Sequence, residues 1–69
     1  MLLTFDTTHH ALWAEEIARE AGIPAEIVPA PAGIRARCDL ALEALAEDEE
    51  RLAGELRAAG VVFHLFVER

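Results

Sequence analysis

The sequence predicts a small α+β domain in which strands and helices alternate in the order β-α-β-β-α-β. Two segments rich in Ala, Glu and Arg each end at a glycine, which is typical of helices. Short apolar or β-branched runs stand before and after them, which is typical of strands. Only short breaks separate these segments in a chain of 69 residues, so we expect one domain spanning residues 1–69.

The first strand leads directly into the first helix. Residues 2–5 are short and apolar, and residues 6–8 (Asp-Thr-Thr) are of the types that cap helix N-termini. A helix is predicted over residues 9–21, ending at Gly22. At about 100° per residue, the core face of this helix comprises His10, Trp13, Ala14, Ile17 and Ala21. Leu12 lies off that face, and it is either an ordinary exposed leucine or a docking contact for a partner.

The middle of the chain contains two further strands. Residues 25–28 are predicted to form the second, and Pro29, Pro31 and Gly33 favour a loop after it. We assign the third to residues 38–42, although their Ala and Leu content suits a helix equally.

The last third of the chain predicts a helix and a strand. The helix covers residues 46–59 and ends at Gly60, and the β-branched and aromatic run 61–67 forms the final strand. The apolar stripe of this helix comprises Leu45, Leu52, Leu56 and Ala59.

This element order is that of the ferredoxin-like βαββαβ unit. We therefore expect a four-stranded antiparallel sheet in the order 4-1-3-2, with both helices on one face and right-handed crossovers. In that topology the third strand begins at the end of the sheet where the first helix begins. Cys38 opens this strand and is expected to lie near residues 7–10.

The final strand is apolar on both faces. Every second residue of this strand is expected to pack under the helices, and the others include Val62 and Phe66 on the open face of the sheet. His64 is expected to have a structural role. Exposed apolar patches often mark interfaces. We expect a homodimer or a partner protein on that face; a few tolerated surface residues are the alternative.

Charge and composition exclude several classes of function. The formal net charge is −7, from 13 acidic and 6 basic residues, which opposes binding to nucleic acid or to an anionic membrane surface. No apolar run approaches the roughly 20 residues of a membrane helix, and the first residues do not resemble a signal peptide. We therefore expect a cytoplasmic protein, which suits a free cysteine. The sequence contains no motif for a bound cofactor.

Cys38 is the candidate nucleophile. It is the only cysteine, so no internal disulfide forms, and no zinc-type spacing is present. Arg35 and Arg37 precede it, and cations and helix N-termini favour the reactive thiolate, whereas the carboxylate of Asp39 opposes it. The alternative is a buried cysteine that packs as a small apolar side chain.

Two pairs at the first helix are further candidates. His9 and His10 can orient the thiol, transfer protons or, with Cys38, bind a soft metal ion, although neighbouring helical residues point about 100° apart. Thr7 and Thr8 can bind an anion at the helix start, and a plain capping role explains them as well.

Several of these residues form a pattern that resembles the bacterial selenium/sulfur (Se/S) carrier-like protein family. The resemblance covers nearly the whole chain, and its specific part is the helix-start run together with the spaced cysteine. It is carried by residues 5–12 (FDTTHHAL), Ala14-Glu15, residues 22–24 (GIP), residues 28–31 (VPAP), Ile34, Cys38 and residues 40–42 (LAL).

The resemblance implies an accessory protein rather than an enzyme. Cys38 holds sulfur or selenium as a persulfide or selenosulfide, taken from a donor such as a cysteine desulfurase and passed to an acceptor protein. Thr7, Thr8, Arg35 and Arg37 are the candidate substrate-binding residues, and we expect no metal ion or cofactor. The chain departs from the family's pattern where a glycine tends to follow the cysteine, since Asp39 stands there. It also departs at Ala32 and Arg35, where the family tends to have Arg and Ser.

Two other functions stay open. A ferredoxin-like sheet also serves as a dimerisation or regulatory module, in which Cys38 is structural, because fold alone does not select function. A soft-metal carrier that uses Cys38 and a histidine is the third.

Overall fold

The computed structural model describes residues 1–30 and 39–66 and confirms the βαββαβ order. In the described part a 3₁₀ turn, Ala46–Asp48, leads into the second helix. The strands are β1 (Leu2–Thr4), β2 (Ala25–Pro29), β3 (Leu40–Ala44) and β4 (His64–Phe66), and the helices are α1 (Thr8–Glu20) and α2 (Glu49–Ala59).

The strands form one antiparallel sheet in the order β2-β3-β1-β4, which is the predicted 4-1-3-2 order. Thr4, the last residue of β1, lies opposite Ala41 of β3 and His64 of β4. At the same end, Pro29 of β2 lies opposite Leu40. The end of β1, and with it the start of α1, is therefore the end where β3 and β4 begin.

Both helices pack on one face of this sheet, as predicted. Leu3 and Leu42 are fully buried on neighbouring strands and belong to the same apolar cluster as buried side chains of α1 and α2. The guanidinium of Arg51 in α2 also donates to the carbonyl of Ala21 after α1, which ties the helices together. The fully buried large side chains are Phe5, Leu3, Leu42, Leu52 and Leu56.

The face of α1 that meets the sheet differs from the predicted one. Its buried residues are Ala11, Ala14 and Ala18, of which only Ala14 was expected. Small side chains let the helix approach the sheet closely, so the alanines occupy the centre. The larger residues Trp13 and Ile17 pack half-buried at the edge of the core.

The second helix starts later than predicted, at Glu49 rather than residue 46, because the 3₁₀ turn takes up the first residues. Leu52 and Leu56 are buried as expected. Leu45 and Ala59, which were also placed on the apolar stripe, are exposed, since Leu45 precedes the turn and Ala59 ends the helix. Gly60 ends α2 with φ of 87°, a conformation that favours glycine.

The third and fourth strands also have different bounds. β3 begins at Leu40 and extends to Ala44, and the predicted start at Cys38 lies outside the described residues. β4 is limited to His64–Phe66, and Val67, its predicted last residue, is again outside them.

The segment 61–63 is irregular rather than part of β4. Within it Val61 is buried and Phe63 packs against the core, but Val62 is half exposed ahead of the strand. Val62 and Phe66, expected to share one strand face, thus lie on different segments.

Candidate functional site

Three contacts gather distant segments at the end of the sheet where α1 begins, here called the α1 end. His10 of α1 bonds to Val62, Asp6 bonds to His64, and Ala30 bonds to Asp39. These contacts bring the start of α1, the start of β4 and the flanks of the β2–β3 connection to one end. The predicted candidates in the described part of the chain, residues 7–10, all lie there.

Thr7 is the N-cap of α1. Its backbone is extended, with φ of −139° and ψ of 151°, and its hydroxyl oxygen accepts a hydrogen bond from the backbone N–H of His10 at 3.2 Å. This is the capping role that the sequence left open. Thr8 is the first residue of the helix, and anion binding by these two threonines stays a prediction.

His10 connects the start of α1 to the segment before β4. Its Nδ1 accepts a hydrogen bond from the backbone N–H of Val62 at 3.0 Å. A nitrogen that accepts carries no proton, so the bonded ring is neutral with its proton on Nε2. Of the two ring nitrogens, Nε2 is therefore the one left to donate to a ligand.

His9 differs from His10 in its surroundings. It is exposed in the first turn of α1, and its ring centroid lies 6.0 Å from that of His10 and 6.1 Å from that of Trp13. The rings of His10 and Trp13 are 5.7 Å apart in an edge-to-face arrangement. Trp13 thus supports both histidines, which follows from its i+3 and i+4 spacing but was not anticipated from the sequence.

Asp6 and His64 form a pair that the sequence reading missed. The carboxylate Oδ1 of Asp6 lies 3.1 Å from Nε2 of His64, and both side chains are about half exposed. The predicted strand order already implied this contact. The last strand lies antiparallel beside the first, so the first residues of the last strand lie near the start of α1. His64 therefore belongs to the α1 end.

Cys38, Arg35 and Arg37 lie outside the described residues, so their predicted roles stay predictions. Their described flanks are fixed at the α1 end, where the backbone N–H of Ala30 donates to the carbonyl of Asp39 at 2.8 Å. On the β4 side of this end of the sheet, the charged side chains include the carboxylate of Asp6 and the guanidinium of Arg57, which lies 5.4 Å from the Phe63 ring centroid.

Within residues 1–30 and 39–66, no three side chains of the His, Cys, Asp or Glu type are arranged to hold a metal ion. A site that includes Cys38 is not tested by this finding. Neither α1 nor α2, the helices described, is long and apolar enough to cross a membrane.

Comparison with known proteins adds one match. The model of a family described as "Putative Se/S carrier protein-like" matches residues 1–68, nearly the whole chain. No curated protein and no solved structure matches the chain.

Proposed function

The chain belongs to the family of Se/S carrier-like proteins, and from that membership we propose that it carries sulfur or selenium on Cys38. The atom is held as a persulfide or selenosulfide and passed from a donor enzyme to an acceptor protein. The chain acts as an intermediate between the two partners rather than as an enzyme.

The register of the sheet is the observation that carries this proposal. Ala41 lies opposite Thr4, and Cys38 precedes Ala41 by three residues. The carbonyl of Asp39, next to the cysteine in sequence, is bonded at the same end. This arrangement supports a thiol close to the start of α1, where the helix dipole amounts to about half a positive charge and favours an anion.

The transfer step is balanced without an added oxidant or reductant. The Cys38 thiolate attacks the terminal sulfur of the donor's persulfide, a new S–S bond forms, and the donor's own S–S bond breaks. The donor thiolate leaves, and Cys38 retains the transferred sulfur atom as its persulfide. Delivery is the same exchange in reverse, with a nucleophile of the acceptor attacking that sulfur and Cys38 leaving as a thiolate.

The two histidines have separate roles in this proposal. His10 is held by Val62 and is the positioning residue for the first turn of α1. His9 is exposed at the same turn and supplies the group that exchanges protons with the sulfur. Thr7 caps the helix and so fixes the direction of its first N–H groups.

The decisive experiment incubates the protein with a cysteine desulfurase and cysteine and measures its intact mass. Since Cys38 is the only cysteine, a gain of one sulfur atom that dithiothreitol removes reports on this residue alone. We expect that gain in the wild-type protein and none in Cys38→Ser. The proposal is wrong if an established acceptor gains sulfur in the same reaction while this chain does not.

A non-catalytic interaction module is the second candidate. It is favoured by the large apolar residues that the described structure exposes, among them Leu12, Val62 and Leu65, which are 50%, 50% and 41% exposed. In that case Cys38→Ser retains the activity of the wild-type protein in cells, whereas a carrier loses its activity together with the thiol.

A further inference from the structure

The outward side of α1 carries a groove that the core does not use. It is lined by His9, Leu12, Trp13 and Glu16, and its volume is about 290 Å³. These positions follow the i, i+3, i+4, i+7 spacing, so they form one continuous stripe along the helix. That is the spacing with which a helix contacts another helix.

The apolar part of the stripe is exposed and held in place. Leu12 is 50% exposed, although leucine is more often buried. Trp13 packs against the core on one side, and its ring contacts those of His9 and His10. The hydrogen bond from Val62 holds His10 in turn. The groove is therefore already formed before a partner binds, and binding costs little entropy for ordering the side chains of the groove.

The charge of the stripe selects the partner. Glu16 is exposed at the groove and forms no ion pair with any residue in the described ranges, whereas the neighbouring Glu15 is paired with Arg19 at 3.3 Å. Glu20 continues the acidic side one turn further on. An acidic segment is repelled by such a surface, and a basic segment is attracted to it.

We propose that this groove docks a basic amphipathic helix of the protein that donates or accepts the sulfur. Apolar side chains of that helix contact Leu12 and Trp13, and a Lys or Arg beside them pairs with Glu16. This inference rests on the proposed carrier function. It adds the surface of this chain that the partner contacts, and that surface begins at His9 in the first turn of α1.

Trp13 makes the groove directly observable, because it is the only tryptophan and the chain contains no tyrosine. The probe is a synthetic helical peptide without aromatic residues, with Leu at i, i+3, i+4 and i+7 and Lys beside them. A matched peptide has Glu in place of each Lys. We expect the Lys peptide to shift Trp13 emission to shorter wavelength and the Glu peptide to have no effect.

Two pairs of variants separate docking from general attraction to an acidic protein. Leu12→Asp is compared with Leu45→Asp, since both leucines are half exposed, at 50% and 51%. Glu16→Lys is compared with Glu47→Lys, because both glutamates are exposed and the change in net charge is equal. We expect Leu12→Asp and Glu16→Lys to weaken binding by about tenfold or more and their controls by less than about twofold.

Equal affinities within each pair, or no shift of Trp13 emission by the Lys peptide, would overturn the docking proposal. Circular dichroism of each variant shows whether it is folded. Loading of Cys38 by cysteine persulfide, a small donor that needs no groove, separates the two proposals. If Cys38 is loaded but no peptide binds, the groove proposal alone is wrong. If the peptide binds as expected and no donor loads Cys38, the carrier function is wrong.

Discussion

At the scale of the residue, the contact between His10 and Val62 determines how the two histidines differ. They are adjacent in sequence, yet among the bonds between described residues only that of His10 comes from the backbone of another segment. That bond fixes the orientation of its ring and assigns the proton to Nε2. His9 has no such constraint in the described structure and is exposed. A pair that looks redundant in the sequence thus divides into a positioning residue and a candidate for proton exchange.

Replacing His10 with phenylalanine tests this division. His10→Phe keeps a ring of similar size but removes the acceptor, so the N–H of Val62 must bond to water or stay unpaired. We expect the free energy of unfolding in urea to fall by about 1 kcal/mol. His9→Phe is the control and should change it by less than about 0.5 kcal/mol, as at other exposed sites. Equal losses in the two variants would show that the bond to Val62 is unimportant.

At the scale of the element, the open face of the sheet contains an unfavourable pair. Glu26 of β2 lies directly opposite Glu43 of β3, and both are exposed. Like charges that face each other across antiparallel strands destabilise the sheet. This repulsion therefore makes the five-residue pairing of β2 with β3 less stable than it would be without the two facing carboxylates.

Glu26→Lys converts this pair into one of opposite charge. We expect the free energy of unfolding to rise by roughly 0.2–1 kcal/mol, as for other cross-strand pairs. Glu26→Gln removes the repulsion without adding an attraction and should give a smaller gain. Added salt should reduce both gains, because these side chains are exposed. Gains that persist unchanged at high salt would mean that the cause is strand propensity rather than charge.

At the scale of the whole molecule, α1 and α2 cover one face of the sheet, and no helix of residues 1–30 or 39–66 packs on the other. Phe66 of β4 and Leu2 of β1 lie opposite each other on that second face, and both are half-buried. A chain of 69 residues has a small core, so burial against another chain adds usefully to its stability. The expected homodimer through this face remains a prediction.

Light scattering after size-exclusion chromatography tests the dimer. We expect the wild-type protein to have the mass of two chains and Phe66→Asp the mass of one, because a carboxylate is not tolerated at an apolar interface. Leu12→Asp, at an exposed leucine of α1 on the helix-covered side of the sheet, should remain a dimer. A wild-type protein that is monomeric even at high micromolar concentration would exclude this interface.

The sequence by itself determined the order of the elements, the sheet order and the approximate extent of both helices, although the 3₁₀ turn Ala46–Asp48 moves the start of α2 to Glu49. These features depend on signals within a few residues, such as the cap at Thr7 and the glycine at Gly60, and on the general handedness of βαβ connections. That residues 7–10 lie at the end of the sheet where the third strand begins also followed from that topology.

Only the tertiary structure decided how α1 is rotated on the sheet and which side chains meet at its start. The bonds of His10 to Val62 and of Asp6 to His64 join residues 52 and 58 positions apart. The burial of Ala11 and Ala18 depends on how closely the helix approaches the sheet. Local propensity and periodicity do not specify such contacts, because they arise from packing and register across the whole domain.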